Sequence, residues 1–466
     1  METVGIAILA AGKGTRLKID LAKALCPALG RPLVDHVVIA AKKFASSAEL
    51  EASLTAVVGH KKEEVEAHLK KQFSELSFAW QKEQRGTGDA LRSYFSERSD
   101  NSKCTYTFIV CADTPLVTEQ TFARLWQELK ARPTLQALAG TFIIPTPLGY
   151  GRILRGNKGF RIAEEKDATV EERKVTEVNS GFYLVRTDYL LSRLAGLNNQ
   201  NKSGEFYLTD VFSQDSEVAA VTYQDEREFL GVNTLEQLEQ VTQILRQRKI
   251  RSLMSEGVMF FDAASTWVDC DVEVKAGTVI HPGVHLFGHT KIGANAVLES
   301  GAILKDCHIE DRVHILAYSH LEKAFVRNGA HIGPFARLRP DSDIGPDAKI
   351  GNFVEIKKSR LGAGAKVSHL SYVGDAEIGE ESNIGCGFIT CNYDGKDKHK
   401  TKIGSYVFIG SDVQVIAPIQ IGDKSFVAAG STVTKDVPPG GFAIARSNQT
   451  TKEGMAHRFL KSKKPS

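Results

Sequence analysis

The stretch KIGNFVEIKKSRLGAGAKVSHLSYVGDAEIG, residues 349–379, decides the fold of the second half of this chain. An aliphatic residue recurs in it about every six positions, and glycine often follows directly, as in Ile350-Gly351 and Ile378-Gly379. A helix repeats near 3.6 residues and an ordinary strand near 2, so this period fits neither. The pattern predicts a solenoid with three flat, short-stranded sides per coil. Each aliphatic then points inward, and the next position lies at a corner that favours glycine.

The repeat runs from about Val258 to Val437, and the prolines and glycines at 438–441 are predicted to end it. Eleven aliphatic-glycine pairs occur in the C-terminal half, and other aliphatic residues continue the six-residue spacing where glycine is absent. A Gly-rich β-sandwich is the alternative, but sandwich strands do not hold one fixed period. The repeated aliphatics include Ile280, Leu286, Ile292, Leu298, Ile309, Ile315, Ile332, Ile344, Leu361, Ile384, Ile403, Ile409, Val415, Ile421, Val427 and Val433.

The composition is that of a soluble globular protein with at least two domains, because 466 residues are too many for one core. A net charge of +3 argues against a dedicated nucleic-acid surface, and the basic cluster at 461–464 is typical of a solvated end. No run is long enough to span a bilayer, and the N-terminus lacks a signal-peptide charge pattern. The seven cysteines show no CxxC spacing, which indicates reduced thiols in a cytosolic protein.

The chain is predicted to have three parts. Residues 1–232 alternate strand-like and helix-like segments, which is typical of an α/β sheet with buried strands. Residues 233–254 have apolar residues at helical spacing and no glycine or proline, so we expect one long linker helix. Residues 255–466 hold the hexapeptide repeats and a tail, and the polar stretch 392–402 is predicted to protrude from a coil as a loop. The strand candidates are 4–10, 54–59, 105–111, 137–144 and 181–185, and the helix candidates include 33–44 and 63–72.

The first strand leads into a glycine-containing turn, LAAGKGTRL at residues 9–17. Its glycines let the backbone approach a ligand closely and present N–H groups to an anion, while Arg16 and the later Lys23 add mobile positive charge. The turn lacks both the Walker A pattern and the third glycine of the dinucleotide fingerprint. Asp113 follows the apolar run 108–112, so we expect its carboxylate at the C-terminal edge of the sheet, where α/β proteins bind ligands.

This turn, followed by Lys23, resembles the signature of sugar-1-phosphate nucleotidylyltransferases. The resemblance covers the whole first domain and implies a Rossmann-like α/β nucleotidyltransferase fold. The hexapeptide repeats likewise resemble the left-handed parallel β-helix of acyltransferases. The motifs of the first domain, in family order, are QKEQRGTG at 81–88, Ala112-Asp113, GYGR at 149–152, Glu164 with Lys166-Asp167, EVNSG at 177–181 and GVN at 231–233.

Together the two halves resemble the bifunctional bacterial enzymes with N-acetylglucosamine-1-phosphate uridyltransferase and glucosamine-1-phosphate N-acetyltransferase activities. The resemblance implies that the C-terminal domain acetylates glucosamine 1-phosphate with acetyl-CoA. It implies that the N-terminal domain transfers UMP from UTP to the product with Mg²⁺, giving UDP-N-acetylglucosamine for cell-envelope synthesis. It also implies a cytoplasmic homotrimer that acts on small molecules, with acetyltransferase sites between chains, no nucleic-acid partner and no membrane insertion.

In the first domain the resemblance implies that Asp113 and Asn233 hold Mg²⁺, and oxygen ligands suit that ion. One departure is Cys111-Ala112-Asp113, where family members commonly carry Tyr-Gly-Asp or a similar Gly-Asp pair. Alanine in place of glycine is expected to narrow the space beside the nucleotide. The expected contacts are Gly12, Arg16 and Lys23 with the triphosphate; Gln81, Gly86 and Thr87 with uracil; Gly151, Glu164 and Asn179 with the sugar; and Leu9, Ala10, Ala11, Cys111, Ala112, Asp113 and Asn233 elsewhere along the UTP or UDP-sugar.

In the second domain His369 lies in KVSHLSY at 366–372, twelve positions after Lys357. This segment resembles the acetyltransferase motif K-x-x-H-x-x-Y, and a neutral imidazole can take the proton that the attacking amine must lose. Glu355 is expected to orient and polarise the ring. The resemblance implies Arg339, Lys357, Tyr372 and Asn383 as contacts of the acetyl acceptor. It implies Cys386 (in place of the usual alanine), Asn392, Tyr393, Ser411, Ala429 and Arg446 as contacts of acetyl-CoA.

Two other functions fit parts of this pattern. A nucleotidylyltransferase whose β-helix served only allostery and assembly would not need Lys357, His369 and Tyr372 together. A non-catalytic scaffold that combined these two folds would not need the intact turn at 9–17 or Asp113. We therefore expect the bifunctional enzyme.

Overall fold

The computed structural model describes residues 2–157, 159–212 and 217–460, and the basic cluster at 461–464 lies outside them. The chain divides into two compact units, residues 1–245 and 246–466. The helix predicted over 233–254 is present as Leu235–Ser255, and the division falls inside it. The expected boundaries at 232 and 254 therefore lie on either side of this division.

The first unit is built on one mixed sheet. The strands of this unit are β1 Thr3–Ala10, β2 Pro27–Ala28, β3 Arg31–Pro32, β4 Glu51–Val58, β5 Ser77–Trp80, β6 Tyr106–Cys111, β7 Ala137–Ile143, β8 Arg152–Arg155, β9 Phe160–Ala163, β10 Glu177–Arg186 and β11 Val218–Thr222. Of these, β2 and β3 form a separate two-stranded sheet. The helices of the chain are α1 Leu33–Ser47, α2 Lys62–Gln72, α3 Thr87–Ser96, α4 Glu119–Ala131, α5 Thr187–Ala195 and α6 Leu235–Ser255.

The sheet has the strand order β11-β7-β10-β6-β1-β4-β5, with the β8–β9 hairpin attached to β10. Strands β6, β1, β4 and β5 are parallel, and β10 runs antiparallel between β6 and β7. Successive residues of β1 enter different cores, Ile6 packing in one with Phe44 and Ala7 in the other with Tyr94. Because parallel strands end at the same edge, the loops that follow β1 and β6 meet there.

Helix α6 begins at a polar cap that also holds the residue before it. Thr234 Oγ1 accepts the backbone N–H of Gln237 at 3.2 Å, and Gln237 Oε1 accepts the backbone N–H of Thr234 at 3.2 Å and that of Asn233 at 2.7 Å. This reciprocal pair is a capping box. The backbone N–H of Val232 also donates to the carbonyl of Asp113 at 2.9 Å. These bonds place Asn233 beside Asp113.

The second unit is a parallel β-helix, as the repeat predicts. Its strands form an 11-stranded, a 10-stranded and a 9-stranded sheet, and each strand pairs with the strands one coil before and after it. We call these sheets faces 1, 2 and 3. Face 1 consists of Met259–Phe260, Val279–Ile280, Val297–Leu298, His314–Ile315, His331–Ile332, Lys349–Asn352, Lys366–His369, Asn383–Ile384, Phe408–Ile409, Phe426–Val427 and Phe442–Ala443.

The strands of the other two faces are equally short. Face 2 consists of Trp267–Val268, His285–Phe287, Ile303–Lys305, His320–Glu322, Arg337–Leu338, Glu355–Lys357, Tyr372–Gly374, Ile389–Cys391, Gln414–Ile416 and Thr432–Val433. Face 3 consists of Glu273–Val274, Lys291–Ile292, His308–Ile309, Phe325–Val326, Asp343–Ile344, Arg360–Leu361, Ala376–Ile378, Thr401–Ile403 and Ile419–Ile421.

The core of the β-helix is the column of aliphatic side chains that the repeat predicts, and residues such as Ile315 and Val415 are fully buried. The glycine that often follows has a different cause from the one expected. A Cβ on Gly351 would lie 1.8 Å from the carbonyl oxygen of Ser368 on the next coil, and the positive φ (57°) occurs two residues later, at Phe353. Close approach of successive coils, and not dihedral freedom, therefore requires glycine at this position.

Two local features of the β-helix test the sequence analysis. The prediction that Gly440-Gly441 ends the β-helix is wrong by one strand, because the strand Phe442–Ala443 still pairs with Phe426–Val427. Gly440 adopts a φ of 70°, and the resulting turn returns the chain to face 1. The polar stretch predicted as a loop over 392–402 is a loop only as far as residue 400, because Thr401–Ile403 is a strand, and the loop has one isolated bridge between Tyr393 and Lys398.

Candidate active sites

A cavity of about 320 Å³ opens at the C-terminal edge of β1 and β6. The pairing of Leu9 with Cys111, and a bond from the N–H of Ala112 to the carbonyl of Leu9 (3.0 Å), bring the two strand ends together. The cavity is lined by predicted site residues and by four others. The predicted ones are Leu9, Ala10, Ala11, Gly12, Lys23, Gln81, Gly86, Thr87, Cys111, Ala112 and Asp113, and the four that were not predicted are Ala24, Gln84, Ala90 and Glu205.

The two glycines of the turn at 9–17 have different roles. Gly14 adopts a φ of 62°, and a Cβ on it would lie 2.7 Å from the Cβ of Lys23. Gly14 therefore permits both the left-handed turn and the packing of the Lys23 stem against it. Gly12 lines the cavity, and a Cβ there would meet no atom within 4 Å. Its backbone is thus open to a ligand.

Lys23, Asp113 and Asn233 form a polar cluster at this cavity. The ammonium of Lys23 contacts Oδ2 of Asp113 and lies 2.8 Å from Oδ1 of Asn233, which also accepts from Arg16 at 2.7 Å. The carboxylate and amide oxygens predicted as Mg²⁺ ligands therefore both contact the Lys23 ammonium, and the amide oxygen also contacts Arg16. This donor set fits a hard divalent ion, which prefers oxygen ligands.

Gln81 lies buried at the base of the cavity with both amide hydrogens engaged. Its Nε2 donates to the carbonyl oxygen of Gly86 at 3.0 Å and to Oδ2 of Asp89 at 2.9 Å. The amide oxygen of Gln81 is therefore fixed as the acceptor of the side chain. Gly86 has a φ of 110°, and a Cβ on it would lie 2.6 Å from the carbonyl oxygen of Phe206, so only glycine fits.

The predicted sugar contacts lie beyond the residues that line this cavity. The N–H of Asn179 donates to the carbonyl of Gly151 at 2.8 Å, and Asn179 Nδ2 donates to the hydroxyl of Tyr183 at 2.6 Å. Glu164 Oε1 accepts from Thr209 at 2.9 Å. Burial raises the pKa of the Glu164 carboxyl above its usual range. The structure thus joins Gly151 to Asn179 and places Glu164 in a separate hydrogen-bonded pair.

The cysteine that departs from the family pattern is a packed thiol. Burial, followed by the nearby Asp113 carboxylate, raises the pKa of Cys111 to about 12. Its sulfur lies 3.7 Å from the position that a Cβ on Gly181 would occupy. The thiol is therefore neutral at physiological pH, which agrees with a packing role.

On the β-helix, the predicted base His369 is exposed at the end of a face 1 strand. Its Nδ1 lies 2.8 Å from Oδ1 of Asn352, which occupies the same register position one coil earlier. An amide oxygen can only accept, so Nδ1 carries the proton and Nε2 has the free lone pair. Asn352 was not among the predicted residues, although the coil length of 17 residues between Ile350 and Val367 places it beside His369.

The expected partner of the imidazole, Glu355, makes a different contact within the chain. Its carboxylate lies 2.9 Å from a guanidinium nitrogen of Arg339. Register explains the difference, because Glu355 pairs with Arg337 and Tyr372 on face 2, whereas His369 lies on face 1. The expectation that Glu355 contacts the ring is therefore corrected to Asn352 for the single chain.

Further charged residues surround the second site. Asp375 accepts from Asn392 Nδ2 at 2.5 Å and lies 3.9 Å from the ammonium of Lys357. The nearby Lys357 ammonium lowers the pKa of Lys398, in the protruding loop, below its usual range. Nothing in the sequence indicates that Asp375 and Lys398 belong to this site, because neither is a position of the hexapeptide repeat and both look like ordinary charged surface residues. Tyr372 lies over Gly374, where a Cβ would meet its hydroxyl at 2.4 Å, and Asn383 faces outward on face 1.

Three of the predicted acetyl-CoA contacts form a column along one corner. The N–H of Asp412 donates to the carbonyl of Cys386 at 2.7 Å, and the N–H of Gly430 donates to the carbonyl of Ser411 at 2.8 Å. Ala429 continues the column, and its carbonyl accepts from Arg446 at 2.7 Å. Tyr393, in the loop, is exposed and donates its hydroxyl to the carbonyl of Gly395. A larger groove, of about 920 Å³, lies at another corner and contains none of the predicted site residues.

Among the described residues, no helix is both long and apolar enough to cross a membrane. Residues 6–156 match the family of MobA-like NTP transferase domains. Residues 400–435 match the bacterial transferase hexapeptide family, described as six repeats. Each match falls in one of the two units.

Curated relatives match along nearly the entire chain, and each bears the name "Bifunctional protein GlmU". The protein from Geotalea uraniireducens is 42% identical over 461 residues, which cover 97% of this chain and 99% of the relative. The one from Pelobacter propionicus is 42% identical and covers 99% and 100%, respectively. The one from Trichlorobacter lovleyi is 43% identical and covers 96% of both.

Proposed function

The chain belongs to the family of bifunctional GlmU proteins, and from that membership we propose how its two sites divide two reactions. The protein is a nucleotidyltransferase and an acetyltransferase. Its C-terminal domain acetylates glucosamine 1-phosphate with acetyl-CoA, and its N-terminal domain transfers UMP from UTP to N-acetylglucosamine 1-phosphate. The product is UDP-N-acetylglucosamine for cell-envelope synthesis. The observation that carries the proposal is that one chain holds both the cationic cavity of the first unit and the paired His369 and Asn352 of the second.

In uridyl transfer, a phosphate oxygen of the sugar attacks the α-phosphorus of UTP and pyrophosphate leaves. The protein supplies position and charge and forms no covalent intermediate. We propose that the backbone at Gly12, which has open space beside it, and the cations of Arg16 and Lys23 hold the triphosphate. Asp113 and Asn233 would hold Mg²⁺, which when bound supplies positive charge beside the phosphates.

The orientation of Gln81 favours uracil as the base. Because Gly86 and Asp89 engage both amide hydrogens, only the oxygen of Gln81 faces a ligand. Uracil carries a hydrogen at N3 and can donate to this oxygen, whereas cytosine presents an acceptor at N3. The buried carboxylate of Asp89 holds the amide against rotation, so the preference needs no rearrangement of the Gln81 side chain. Thr87 completes the edge of this pocket.

The sugar subsite is proposed at Gly151, Glu164 and Asn179. The bond between Asn179 and Gly151 fixes two of these residues relative to each other. The raised pKa of Glu164 reflects a partly dehydrated carboxyl, and sugar hydroxyl groups can satisfy such a group by donating hydrogen bonds to it. Leu9, Ala10, Ala11, Cys111 and Ala112 provide the walls beside the nucleotide.

In acetyl transfer, we propose that His369 Nε2 takes the proton from the amine of glucosamine 1-phosphate as that amine attacks the thioester. Asn352 holds the ring in the required tautomer. Arg339, placed by Glu355, and Lys357 provide positive charge for the sugar phosphate. Tyr372 and Asn383 are proposed to contact the acetyl acceptor. Asn392, at the start of the protruding loop, is proposed to contact acetyl-CoA. Acetyl-CoA is proposed to lie along Cys386, Ser411 and Ala429, with Tyr393 and Arg446 at its ends.

We further propose a cytoplasmic homotrimer, since UTP and acetyl-CoA are cytoplasmic metabolites and a second chain would cover His369. Beside the histidine site, the rings of Tyr318, Phe335 and Phe353 stack at one corner with centroids 5.4 Å apart. These rings are 60%, 48% and 56% exposed, and a row of exposed aromatic side chains is typical of a surface that another protein chain covers. Sedimentation measured together with both activities tests the assembly, because dilution below the trimer range should reduce acetyl transfer and leave uridyl transfer unchanged.

The direct test of the function supplies substrates separately and together. Glucosamine 1-phosphate with acetyl-CoA should release CoA, and N-acetylglucosamine 1-phosphate with UTP and Mg²⁺ should release pyrophosphate. All substrates together should give UDP-N-acetylglucosamine. Pyrophosphate release without CoA release would favour a nucleotidylyltransferase with a structural β-helix, and neither activity would favour a scaffold.

A further inference from the structure

The ammonium of Lys23 contacts both residues that are proposed to hold a divalent cation. We infer that Lys23 is the resident counter-ion of the metal site, and that a divalent cation reaches Asp113 and Asn233 only by displacing it. This inference rests on the metal role proposed above for these two residues. It concerns what the site does before the nucleotide arrives, and it assigns Lys23 a second role besides contact with phosphate.

The contacts of Lys23 are the first argument. Its Nζ touches Oδ2 of Asp113 and lies 2.8 Å from Oδ1 of Asn233. These oxygens belong to the two residues proposed as metal ligands, so the ammonium and a metal ion would compete for the same acceptor groups. Two cations at that separation repel each other strongly in a partly buried site. Occupation by one therefore excludes the other.

Burial is the second argument. The side chains of Lys23 and Asp113 are only 14% and 25% exposed, so solvent screens the pair weakly. Removing the lysine without replacement would leave a carboxylate with no counter-ion in a dehydrated place, which is costly. The site therefore exchanges one cation for another.

The surroundings of Lys23 provide the third argument. Its stem packs against Gly14, and its side chain lines the cavity proposed for the triphosphate. A triphosphate in that cavity offers the displaced ammonium a new anionic partner. Nucleotide binding and metal binding therefore favour each other. The nucleotide stabilises the displaced Lys23 ammonium, and the metal ion releases that ammonium for the nucleotide.

The test measures Mn²⁺ binding to the full chain without nucleotide, by the electron paramagnetic resonance signal of free Mn²⁺. Lys23→Met should bind Mn²⁺ about tenfold more tightly than the wild type, because the competing cation is gone. Lys23→Arg retains the charge and should show no such gain. Lys103→Met, which removes a lysine paired with Asp100 at 2.7 Å on the surface, is the matched control and should bind as the wild type does. The double change Lys23→Met with Asp113→Asn should abolish the gain.

A second measurement uses the unaltered protein, so it does not depend on the folding of a variant. The rate at which an amine-directed acetylating reagent modifies Lys23 is followed by mass spectrometry, with and without saturating Mg²⁺. The ion should release the ammonium and raise the rate severalfold at Lys23, while the rate at Lys103 stays constant. An unchanged or lower rate at Lys23, or Mn²⁺ binding to Lys23→Met no tighter than to the wild type, would overturn the exchange. Pyrophosphate release that needs no divalent ion would instead overturn the metal role itself.

Discussion

The cavity of the first unit and the histidine site of the second differ in how completely one chain assembles them. In the cavity, Lys23, Asp113 and Asn233 contact one another across large separations in sequence, and Gln81 is buried and fixed. At the second site, His369 is exposed and its partner lies one coil away on the same surface. A parallel sheet gathers several loops at one edge and encloses a ligand, whereas a solenoid presents residues on an open side. One chain therefore brings together the residues proposed to bind the nucleotide, whereas we propose that the second site gains its other wall from a neighbouring copy.

The largest expected effect separates the two sites directly. Asp113→Ala should lower uridyl transfer about 1000-fold, because loss of a proposed Mg²⁺ ligand would remove positive charge that stabilises the transition state at the phosphates. Acetyl transfer should be unchanged. Pyrophosphate release and CoA release, measured on the same preparation, check this. Asp100→Ala, at an exposed ion pair of the same unit, is the control and should alter neither rate. Loss of both activities in folded Asp113→Ala would contradict independent sites.

The converse change is His369→Ala, which should lower acetyl transfer about 100-fold to 10000-fold, as expected for removal of a general base. Uridyl transfer should continue at its normal rate. His289→Ala replaces an exposed histidine of another coil and serves as the control. If acetyl transfer survived in His369→Ala, the base would have to be sought elsewhere on the β-helix.

The next effect tests how the open site orients its base. Asn352→Ala should lower kcat for acetyl transfer about 10-fold to 100-fold, because the imidazole loses the acceptor that fixes its tautomer. KM for glucosamine 1-phosphate should change little. Glu355→Gln, which loosens Arg339 instead, should raise that KM more than it lowers kcat. The opposite pattern in the two variants would return the orienting role to Glu355.

The smallest expected effects compare two glycines. Gly351→Ala should lower the free energy of unfolding of the β-helix by about 1–3 kcal/mol, because the new Cβ meets the Ser368 carbonyl of the next coil. Gly12→Ala should leave stability unchanged, because nothing lies within 4 Å of its Cβ position. Denaturant titration of each variant measures both. Equal losses would show that backbone freedom, and not coil spacing, explains the glycines.

Much of this architecture could be predicted from the sequence because its signals are local. The repeat fixed which side chains of the β-helix face inward, and the run before Asp113 placed that carboxylate at the sheet edge. The relation between Gln81 and Asp89 was not predictable in this way. It depends on the left-handed turn at Gly86, which returns the chain so that the start of α3 faces Gln81.

The second site illustrates a different limit. The residue types around His369 could be identified, but the partner of the ring depends on which face each strand occupies. Counting 17 residues from Asn352 to His369 gives the contact only when the length of that coil is known. The role of Gly351 could not be predicted for the same reason, because the six-residue repeat does not show which atoms of neighbouring coils come into contact.

The loop at 392–400 shows what this form of stacking permits. The strands on either side keep their partners, Ile389–Cys391 with Gln414–Ile416 and Thr401–Ile403 with Ala376–Ile378. A corner can thus take up extra residues while the rungs above and below remain in place. Evolution or protein engineering can vary the length and chemistry of this segment, and with it what the enzyme recognises, at little cost to the scaffold that supports it.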